Sequence, residues 1–573
     1  MTIGLIDAGA GLPAYIGELF DTWGLRSWRS IAAGEAARLD PTATPVVVLP
    51  AGHVELEAAV AAYVERGGCA ASILPAGAVA TALGIEGKGG MDPPLQLRLT
   101  GPRLAGVAGE SLPVVGTAET WAVPEGADAI GFLHGPGRDE GERVGLLRRQ
   151  LGAGTLVGLA FDLPLAVLLL RQGDPGNQER RSQFAPPMRP SLLACDLGPQ
   201  EPGWVPYADL LGRVLVDLVR GLHPAPLPLL YHLPGAAPGI LVYSGDEDGA
   251  DVAWNREEFG QVAAAGGRMN LYIIPGNTQS TSADVEAYRQ HHDVGPHPNL
   301  RRLDDAPVGE RIAEMVRQVR QFEDTFGGPV SSVRNHCVAW AGYLEPVEAM
   351  ERLGVGMDAN YFCSTFLRGR HYAPYGSFGA ALPTRFCHPG GALTSVRQQH
   401  THTMDDVYFG PDWVPYSYRF APQQWEAILG RVFDDIVGRF HVPHAVCIHP
   451  SNWVRFSREQ GRALLRQAGE RQMPIWSFDQ WLAFWQERAT WQWESLAWDG
   501  VRLTGRLSGE ASRDDLSLLL PAQHRGAALR QMKVDGASVE VHQVQRYGEA
   551  AALTGLPVER SVEVEAVYEG EEG

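Results

Sequence analysis

Hydrophobic and polar positions alternate along the first 230 residues in a pattern that predicts strands and helices in turn. The apolar run Val46–Pro50 predicts a buried strand, and the amphipathic stretch Val54–Gly68 predicts a helix that ends at glycine. The strand-like CAASILP follows, and later GTLVGLAFDLP and LAVLLLRQG predict another strand and helix. Strands that alternate with helices favour a parallel sheet. We therefore expect residues 1–230 to form a flavodoxin-like α/β domain.

The same alternation restarts after PLPLLYHLPGAAPG, a segment rich in proline and glycine that we interpret as a linker. Strand-like runs at ILVYSGDED, MNLYIIPGNT and HAVCIHP are separated by amphipathic stretches such as ERIAEMVRQVRQFEDTF. This repetition predicts a parallel barrel or sheet over residues 238–490. Functional groups are expected at the carboxyl ends of its strands.

Helical periodicity fades after Trp491. Segments such as SLAWDGVRLTGRLSG and ALRQMKVDGASVEVHQV predict short antiparallel strands with turns at WDG and VDG. We expect residues 491–573 to form a small C-terminal β-sandwich that serves as an accessory module. The predicted fold class is thus α/β multidomain.

Charge and composition restrict the partners. The chain has 48 lysines and arginines against 67 aspartates and glutamates, a formal net charge of -19, which argues against binding nucleic acid or an anionic membrane. No apolar run reaches the about 18 residues that a membrane-spanning helix needs. The amino terminus lacks the pattern of a signal peptide, so a cytoplasmic location is expected. The six dispersed cysteines are expected to be mainly free thiols, and the oligomeric state is left open.

Acidic residues and a histidine follow predicted strands of the middle region. Asp246 and Asp248 end the first of these strands, and strand alternation directs both side chains to the same side. His297 leaves a short predicted strand at a point where an imidazole could bind a divalent metal. A solvated acidic turn and a structural histidine are the alternatives.

Four motifs in this region resemble those of polysaccharide deacetylases of the carbohydrate esterase family 4 type. That family has an acidic motif, a motif of the form H-x-I/V-G-x-H, an arginine motif and a late histidine on a final strand. Here SGDEDG, HDVGPH, VRNHCVAW and CIHPSNW occur in that order. The resemblance implies a deformed (β/α) barrel and a metal-dependent hydrolase that removes N-acetyl or similar amide-linked groups from a carbohydrate.

The resemblance also implies a role for each matched residue. Asp246 resembles the general base, Arg334 the residue that orients this base, and His449 the acid that protonates the leaving amine. Asp248 and His297 resemble metal ligands. The implied cofactor is a divalent metal, with zinc as the first candidate, which lowers the pKa of bound water toward about 7 and stabilises an oxyanion.

Position 301 departs from the family pattern. The family has a second histidine there, whereas this chain has Arg301, which stays protonated and cannot bind a metal. We predict that His336 replaces it; the alternative is that His336 lies behind the ligands or contacts substrate. His400 and His402 are further candidates, although a polar loop would explain them equally well. Without a complete metal site, the chain would be a catalytically silent glycan-binding protein.

Residues 1–230 resemble glutamine-amidotransferase-like domains of the flavodoxin type. An active amidotransferase needs a cysteine on a tight turn from strand to helix. Cys69 instead begins a predicted strand, so we expect this domain to be non-catalytic.

Two questions about the substrate stay open. Three aromatic residues near the motifs could stack on a sugar ring or pack in the core, namely Trp340, Tyr361 and Trp453. Three others are expected to be core residues, namely Trp476, Trp481 and Trp485. The lack of a recognisable secretion signal also admits an amidohydrolase that acts on small amides rather than on sugars.

Overall fold

The structure is a computed structural model of the chain, and it describes residues 1–100, 109–135, 143–181, 187–194, 205–362 and 379–570. The first region contains the strands β1 Ile3–Asp7, β2 Trp28–Ala32, β3 Val46–Leu49, β4 Cys69–Ile73, β5 Gly89–Met91, β6 Leu95–Leu99, β7 Ser111–Val114, β8 Ala118–Thr120, β9 Ala127–His134, β10 Arg143–Leu151 and β11 Gly154–Leu159. Its helices are α1 Pro13–Thr22, α2 Glu57–Glu65, α3 Gly77–Leu83, α4 Leu163–Gln172 and α5 Tyr207–Leu222.

A nine-stranded mixed sheet forms the centre of this region. Its order is β2-β1-β3-β4-β11-β10-β9-β6-β7. The first five strands are parallel and follow the 2-1-3-4-5 order of flavodoxin-type sheets, with β11 as the fifth. The remaining four are antiparallel and extend one edge. Cys69 is the first residue of β4, as predicted, and therefore does not occupy a turn from strand to helix.

The middle region begins with β12 Leu229–Leu230. It continues with the strands β13 Ile240–Asp246, β14 Asn270–Ile273, β15 Asp293–Pro296, β16 Ser332–Val333, β17 Met357–Phe362, β18 Thr384–Cys387, β19 Leu393–Thr401, β20 Thr403–Met404, β21 Pro443–Cys447 and β22 Ile475–Trp476. Its helices are α6 Val252–Ala264, α7 Ser282–Tyr288, α8 Val308–Phe326, α9 Glu345–Arg352, α10 Asp405–Phe409, α11 Pro422–Asp435, α12 Pro450–Asn452, α13 Arg458–Glu470 and α14 Phe478–Thr490.

Two sheets of this region are joined by backbone contacts at two places. One has the order β15-β14-β13-β21-β20, with β22 also paired to β13, and all its pairs are parallel. The other has the order β16-β17-β19-β18, in which only β18 is antiparallel. Next to β15 and β16 the Arg334 amide lies 3.5 Å from the Pro296 carbonyl oxygen, and directly after β19 the His402 amide donates to the carbonyl of Ala445 in β21 at 2.7 Å. The carboxyl ends of the parallel strands thus gather on one side.

The last region consists of the strands β23 Gln492–Trp498, β24 Arg502–Ser508, β25 Ser517–Pro521, β26 Gln523–His524, β27 Ala527–Val534, β28 Ala537–Ser538, β29 His542–Arg546, β30 Glu549–Gly555 and β31 Ser561–Gly570. Together with β12 of the middle region they form two antiparallel sheets. One has the order β23-β24-β31-β27-β26, with β28 beside β27, and the other has the order β12-β25-β30-β29. The predicted turns at WDG and VDG join β23 to β24 and β27 to β28.

The segment PLPLLYHLPGAAPG, which was expected to be a linker, is largely buried and contains a strand. Leu229 and Leu230 form β12, which pairs with β25, and the leucines from Leu227 to Leu233 are buried. Proline and glycine suggested a loose connection, but the apolar side chains between them pack inside. Buried apolar residues from Ile3 to Tyr568 accordingly form one continuous cluster.

Two further expectations concern cysteines and membranes. The cysteines at positions 69, 337, 387 and 447 are free, and Cys195 and Cys363 lie outside the described residues. In the part of the chain that the structure describes, every helix is too short or too polar to traverse a lipid bilayer.

Candidate active site

The end of β13 brings two carboxylates to the carboxyl side of the sheet. Asp246 is the last residue of the strand, and a Cβ atom on the preceding Gly245 would lie 2.5 Å from the Ile448 carbonyl oxygen. Only glycine therefore allows β13 to approach the end of β21 this closely. Asp248 has a φ of 50°, a left-handed conformation that aspartate tolerates better than most residues. This bend directs Asp248 toward His297 rather than away from the site.

All six residues that the motifs singled out lie together. The Asp248 carboxylate is surrounded by three imidazoles, whose Nε2 atoms lie 3.4 Å (His297), 3.7 Å (His336) and 3.7 Å (His449) from its nearest oxygens. Asp246 approaches the same nitrogen of His297, with 3.7 Å between a carboxylate oxygen and Nε2. Arg334 contacts Asp246 at 3.1 Å.

The ring of His297 has one nitrogen engaged and one available. Its Nδ1 lies 2.7 Å from the Arg334 carbonyl oxygen. A carbonyl only accepts, so Nδ1 carries the hydrogen and Nε2 presents a lone pair. Nε2 is buried and, among the described residues, has no hydrogen-bond partner. Because it faces the carboxylates of Asp246 and Asp248, this nitrogen needs either a proton or a cation between it and their oxygens, and a donor set of imidazole and carboxylate fits a divalent metal.

The pKa directions express the same electrostatics. Burial lowers the pKa of His297, but Asp246 and Asp248 outweigh burial and raise it. Burial raises the pKa of Asp248, but the surrounding imidazoles outweigh burial and hold it below its ordinary value. Burial, with a smaller contribution from His297, lowers the pKa of His336 to about 4, so its ring is neutral at neutral pH and can offer a lone pair.

Arg334 fixes the position and charge of Asp246. Its fully buried guanidinium donates to Asp246 and, at 2.8 Å, to the Ser244 hydroxyl; a further nitrogen donates to the Thr401 hydroxyl at 2.9 Å. Burial raises the pKa of Asp246, but His297 and Arg334 outweigh it and lower the pKa. Asp246 is therefore an ionised carboxylate that can accept a proton.

The RNHC motif reaches the site because its backbone is tied to the HPN turn. The His336 amide donates to the Pro298 carbonyl at 2.9 Å. Arg301, at the position where the family has histidine, lies beside the same bend, with its guanidinium 3.5 Å from the Cys337 sulfur and 3.3 Å from Asp304. His336 rather than residue 301 thus approaches Asp248.

Asp405 is a site residue that the sequence analysis missed. Nδ1 of His449 donates to its carboxylate at 2.6 Å, and the His449 amide donates to it at 3.0 Å. Burial lowers the pKa of His449, but Asp405 outweighs burial and raises it well above the ordinary value. The sequence signal for this residue is the acid pair that ends QQHTHTMDD directly after a strand.

Asp405, Asp406 and His449 form another candidate metal group, and among the described residues it is the one whose ligand atoms all lie within 4.8 Å of one another. Its atoms already have partners, however. Asp405 accepts from His449, and Asp406 accepts from the Tyr416 hydroxyl at 3.0 Å and from the Val407 amide at 2.9 Å. We therefore take the group of Asp248, His297 and His336 as the better candidate for a metal site, because Nε2 of His297 has no hydrogen-bond partner among the described residues.

The further candidates His400 and His402 lie away from the site, so neither serves as the extra ligand. Both lie in or next to the buried strand β19 rather than in a polar loop. His400 stacks on Tyr361 with ring centroids 4.2 Å apart. Both ring nitrogens of His402 face backbone, one 3.0 Å from the Ala380 carbonyl oxygen and the other accepting from the Ala445 amide. Polar residues on the buried part of this strand find partners within the fold.

The aromatic residues near the motifs are core residues. Trp340 and Tyr361 pack against the guanidinium of Arg189, at 4.6 and 3.7 Å from the ring centroids, and Trp453 is fully buried. Stacking of these three on a sugar is therefore not supported. Trp481 and Trp485 are buried as expected, and Trp476 is half-buried.

Comparisons with known proteins give structural neighbours only. No model of a known protein family matches the chain, and no curated protein does. The solved structures similar to it include carbohydrate deacetylases. The crystal structure of Agd3, titled a novel carbohydrate deacetylase, matches over 99% of each chain with 9% identity and a TM-score of 0.41.

Two shorter neighbours cover part of the chain. The peptidoglycan deacetylase PdaC from Bacillus subtilis matches 45% of this chain and 95% of its own, with 11% identity and a TM-score of 0.27. A family 4 carbohydrate esterase from Streptomyces lividans, in complex with acetate, matches 42% of this chain and 93% of its own, with 9% identity and a TM-score of 0.26. These are distant likenesses, and the function is inferred from the site itself. The amidotransferase-like resemblance of residues 1–230 stays a prediction.

Proposed function

We propose that the chain is a metal-dependent hydrolase that removes N-acetyl or similar amide-linked groups from a carbohydrate, within a deformed (β/α) barrel formed by residues 238–490. The observation that carries this proposal is the Asp248 carboxylate among three imidazoles, one of which, His297, directs a buried lone pair at it. Asp248, His297 and His336 would hold the cation, with zinc as the first candidate. When bound, such a cation supplies a Lewis acid that makes water more acidic and stabilises an oxyanion.

The chain's own residues account for the proton transfers. Asp246, held in place by Arg334, takes a proton from the attacking water as the water oxygen bonds to the amide carbonyl carbon. His449 then gives its proton to the nitrogen as the carbon–nitrogen bond breaks, releasing acetate and a free amine. Asp405 orients the ring of His449 and keeps it protonated until that step.

Residues 1–230 would support the catalytic region rather than react. Glu18 of α1 accepts hydrogen bonds from the backbone and side chain of Arg385 and pairs with Arg397 at 3.1 Å. Asp209 of α5 accepts from the amides of Ala381 and Leu382. These buried contacts hold β18 and β19. Residues 491–573 would serve as an accessory module.

Acetate release tests the proposal directly. The purified chain, loaded with zinc, cobalt or nickel, should bind about one ion per chain and release acetate from N-acetylglucosamine oligomers. Release from small amides but not from the oligomers would favour an amidohydrolase of small amides. Oligomer binding without a bound metal, even after metal addition, would favour the silent glycan-binding protein that Arg301 suggested.

A further inference from the structure

Trp413 is the only aromatic residue among the described ones that is exposed rather than buried or half-buried, with 66% of its surface accessible. It lies in a turn in which the Val414 amide donates to the Pro411 carbonyl at 2.8 Å. Phe456, which is half-buried, meets its ring edge-on with centroids 6.0 Å apart. The face of the Trp413 indole is thus open to a ligand that stacks on aromatic rings.

The loop that carries Trp413 has a rigid base. After the turn, the amides of Tyr418 and Phe420 donate to the carbonyls of Val407 and Tyr408, each at 2.8 Å, which ties the loop to α10. The rings of Tyr418 and Phe420 stack on each other with centroids 5.6 Å apart. The loop backbone that carries Trp413 is therefore held in place before any ligand arrives, which reduces the entropy lost on binding.

The segment that carries Phe456 adjoins the proposed acid. It is a π-helical stretch, Trp453–Ser457, which begins four residues after His449. π-helical stretches are frequent at functional sites. Its last residue, Ser457, has its hydroxyl 3.4 Å from the Asp405 carboxylate that holds His449. Phe456 is thus the neighbour in sequence of Ser457, whose side chain contacts the Asp405–His449 pair.

A second aromatic contact lies on the same segment. Arg455 is exposed, and its guanidinium lies 5.2 Å from the ring centroid of Trp254. Trp254 is half-buried near the start of α6, the helix that follows Asp248. The two aromatic contacts therefore lie on chain segments that follow Asp248, Asp405 and His449.

We propose that Trp413 and Phe456, with Trp254 beside Arg455, form a stacking platform that binds pyranose rings of an N-acetylated glycan next to the ring that is deacetylated; this rests on the proposed function. Aromatic faces match the apolar C–H faces of a pyranose, and the guanidinium offers donors to hydroxyl and N-acetyl oxygens. The platform would distinguish an oligosaccharide from a single sugar, because only an oligosaccharide can contact the platform and the proposed active site at the same time.

The test compares binding of the β-1,4-linked N-acetylglucosamine tetramer and of single N-acetylglucosamine by calorimetry, with kcat and KM for acetate release measured alongside. We expect Trp413→Ala, and independently Phe456→Ala, to weaken tetramer binding about tenfold while binding of the single sugar, metal content and kcat stay unchanged. Trp413→Phe should keep most of the affinity because it keeps an aromatic face. Val558→Ala is the matched control, since Val558 is 52% exposed in the C-terminal region.

Equal tetramer affinity of Trp413→Ala and wild type, or no tetramer binding by wild type, would overturn the platform. So would a change in self-association on sedimentation with sugar affinity unchanged, which would show that a second copy of the chain covers Trp413. Tetramer binding that is weakened by Trp413→Ala, without any acetate release, would support the platform and contradict the proposed hydrolase activity. Acetate release together with tetramer binding that Trp413→Ala does not weaken would support the hydrolase activity and contradict the platform.

Discussion

The backbone and the side chain of Arg334 act on two different site residues. The Arg334 carbonyl accepts from Nδ1 of His297 at 2.7 Å, which leaves Nε2 of that ring as a lone pair, while the guanidinium holds Asp246 at 3.1 Å. One residue thus sets the tautomer of a proposed metal ligand and holds the proposed base in place. We therefore expect replacement of Asp246 to affect proton transfer and replacement of His297 to affect metal binding.

Replacing Asp246 with asparagine should stop the proton transfer without emptying the site. Asparagine keeps the shape and the contact with Arg334 but cannot accept a proton from water. We expect kcat for acetate release to fall by about 10² to 10⁴-fold, with bound metal near the wild-type level by elemental analysis. Unchanged kcat would remove Asp246 from the role of base.

Replacing His297 or His336 with alanine should instead reduce bound metal. Each substitution removes one imidazole from beside Asp248, and loss of a ligand weakens binding more than loss of a surrounding group. His291→Ala is the matched control, because that histidine is exposed and close in sequence to His297. Full metal occupancy in both ligand variants would show that the ligand assignment is wrong.

Replacing Asp405 with asparagine should lower kcat without changing KM or metal content. The amide oxygen can still accept one hydrogen bond, but it no longer supplies the negative charge that keeps His449 protonated. We expect kcat to fall by about 10² or more near neutral pH. A raised KM with kcat preserved would mean that Asp405 contributes to substrate binding rather than to proton donation.

The buried Glu18 should give the fold a measurable pH dependence. Burial raises the pKa of Glu18, but Arg397 and Arg385 outweigh it, so the folded-state pKa lies below the ordinary value. Its stabilisation is therefore present above the ordinary glutamate pKa of about 4.5 and is lost as the pH falls through the lower folded-state value.

Glu18→Gln should accordingly lower the free energy of unfolding at pH 7 by about 3–5 kcal/mol, because it leaves two partly buried guanidinium groups without their carboxylate. In urea unfolding, the variant should also lose less stability than wild type between pH 7 and pH 3. Glu563→Gln, in an exposed pair with Arg506, is the control and should leave stability unchanged. Equal acid sensitivity of Glu18→Gln and wild type would contradict this account of Glu18.

Sequence patterns predicted the local elements well and the long-range contacts poorly. Alternation placed Asp246 and His297 at strand ends, and parallel strands bring such ends together. Asp405 escaped notice because its role depends on β20 lying beside β21, a pairing that no local pattern reports. The pairing of β12 with β25 joins positions almost 300 residues apart in sequence and escaped for the same reason. His400 was misread because a polar run can lie on a strand that is buried on both faces.

The Arg301 departure illustrates the same limit. Sequence alone left open whether another residue completes the site, since the RNHC motif lies more than 30 residues further along the chain. The hydrogen bond between the His336 amide and the Pro298 carbonyl brings this motif to the HPN turn. Such a backbone contact is not encoded in any motif spacing.

Crystallography with zinc added and data collected at the zinc absorption edge tests the central claim most directly. The account predicts one strong anomalous peak per chain, about 2.0–2.2 Å from a carboxylate oxygen of Asp248 and from Nε2 of both His297 and His336. A peak between Asp405, Asp406 and His449 instead, or no peak at either position, would contradict it.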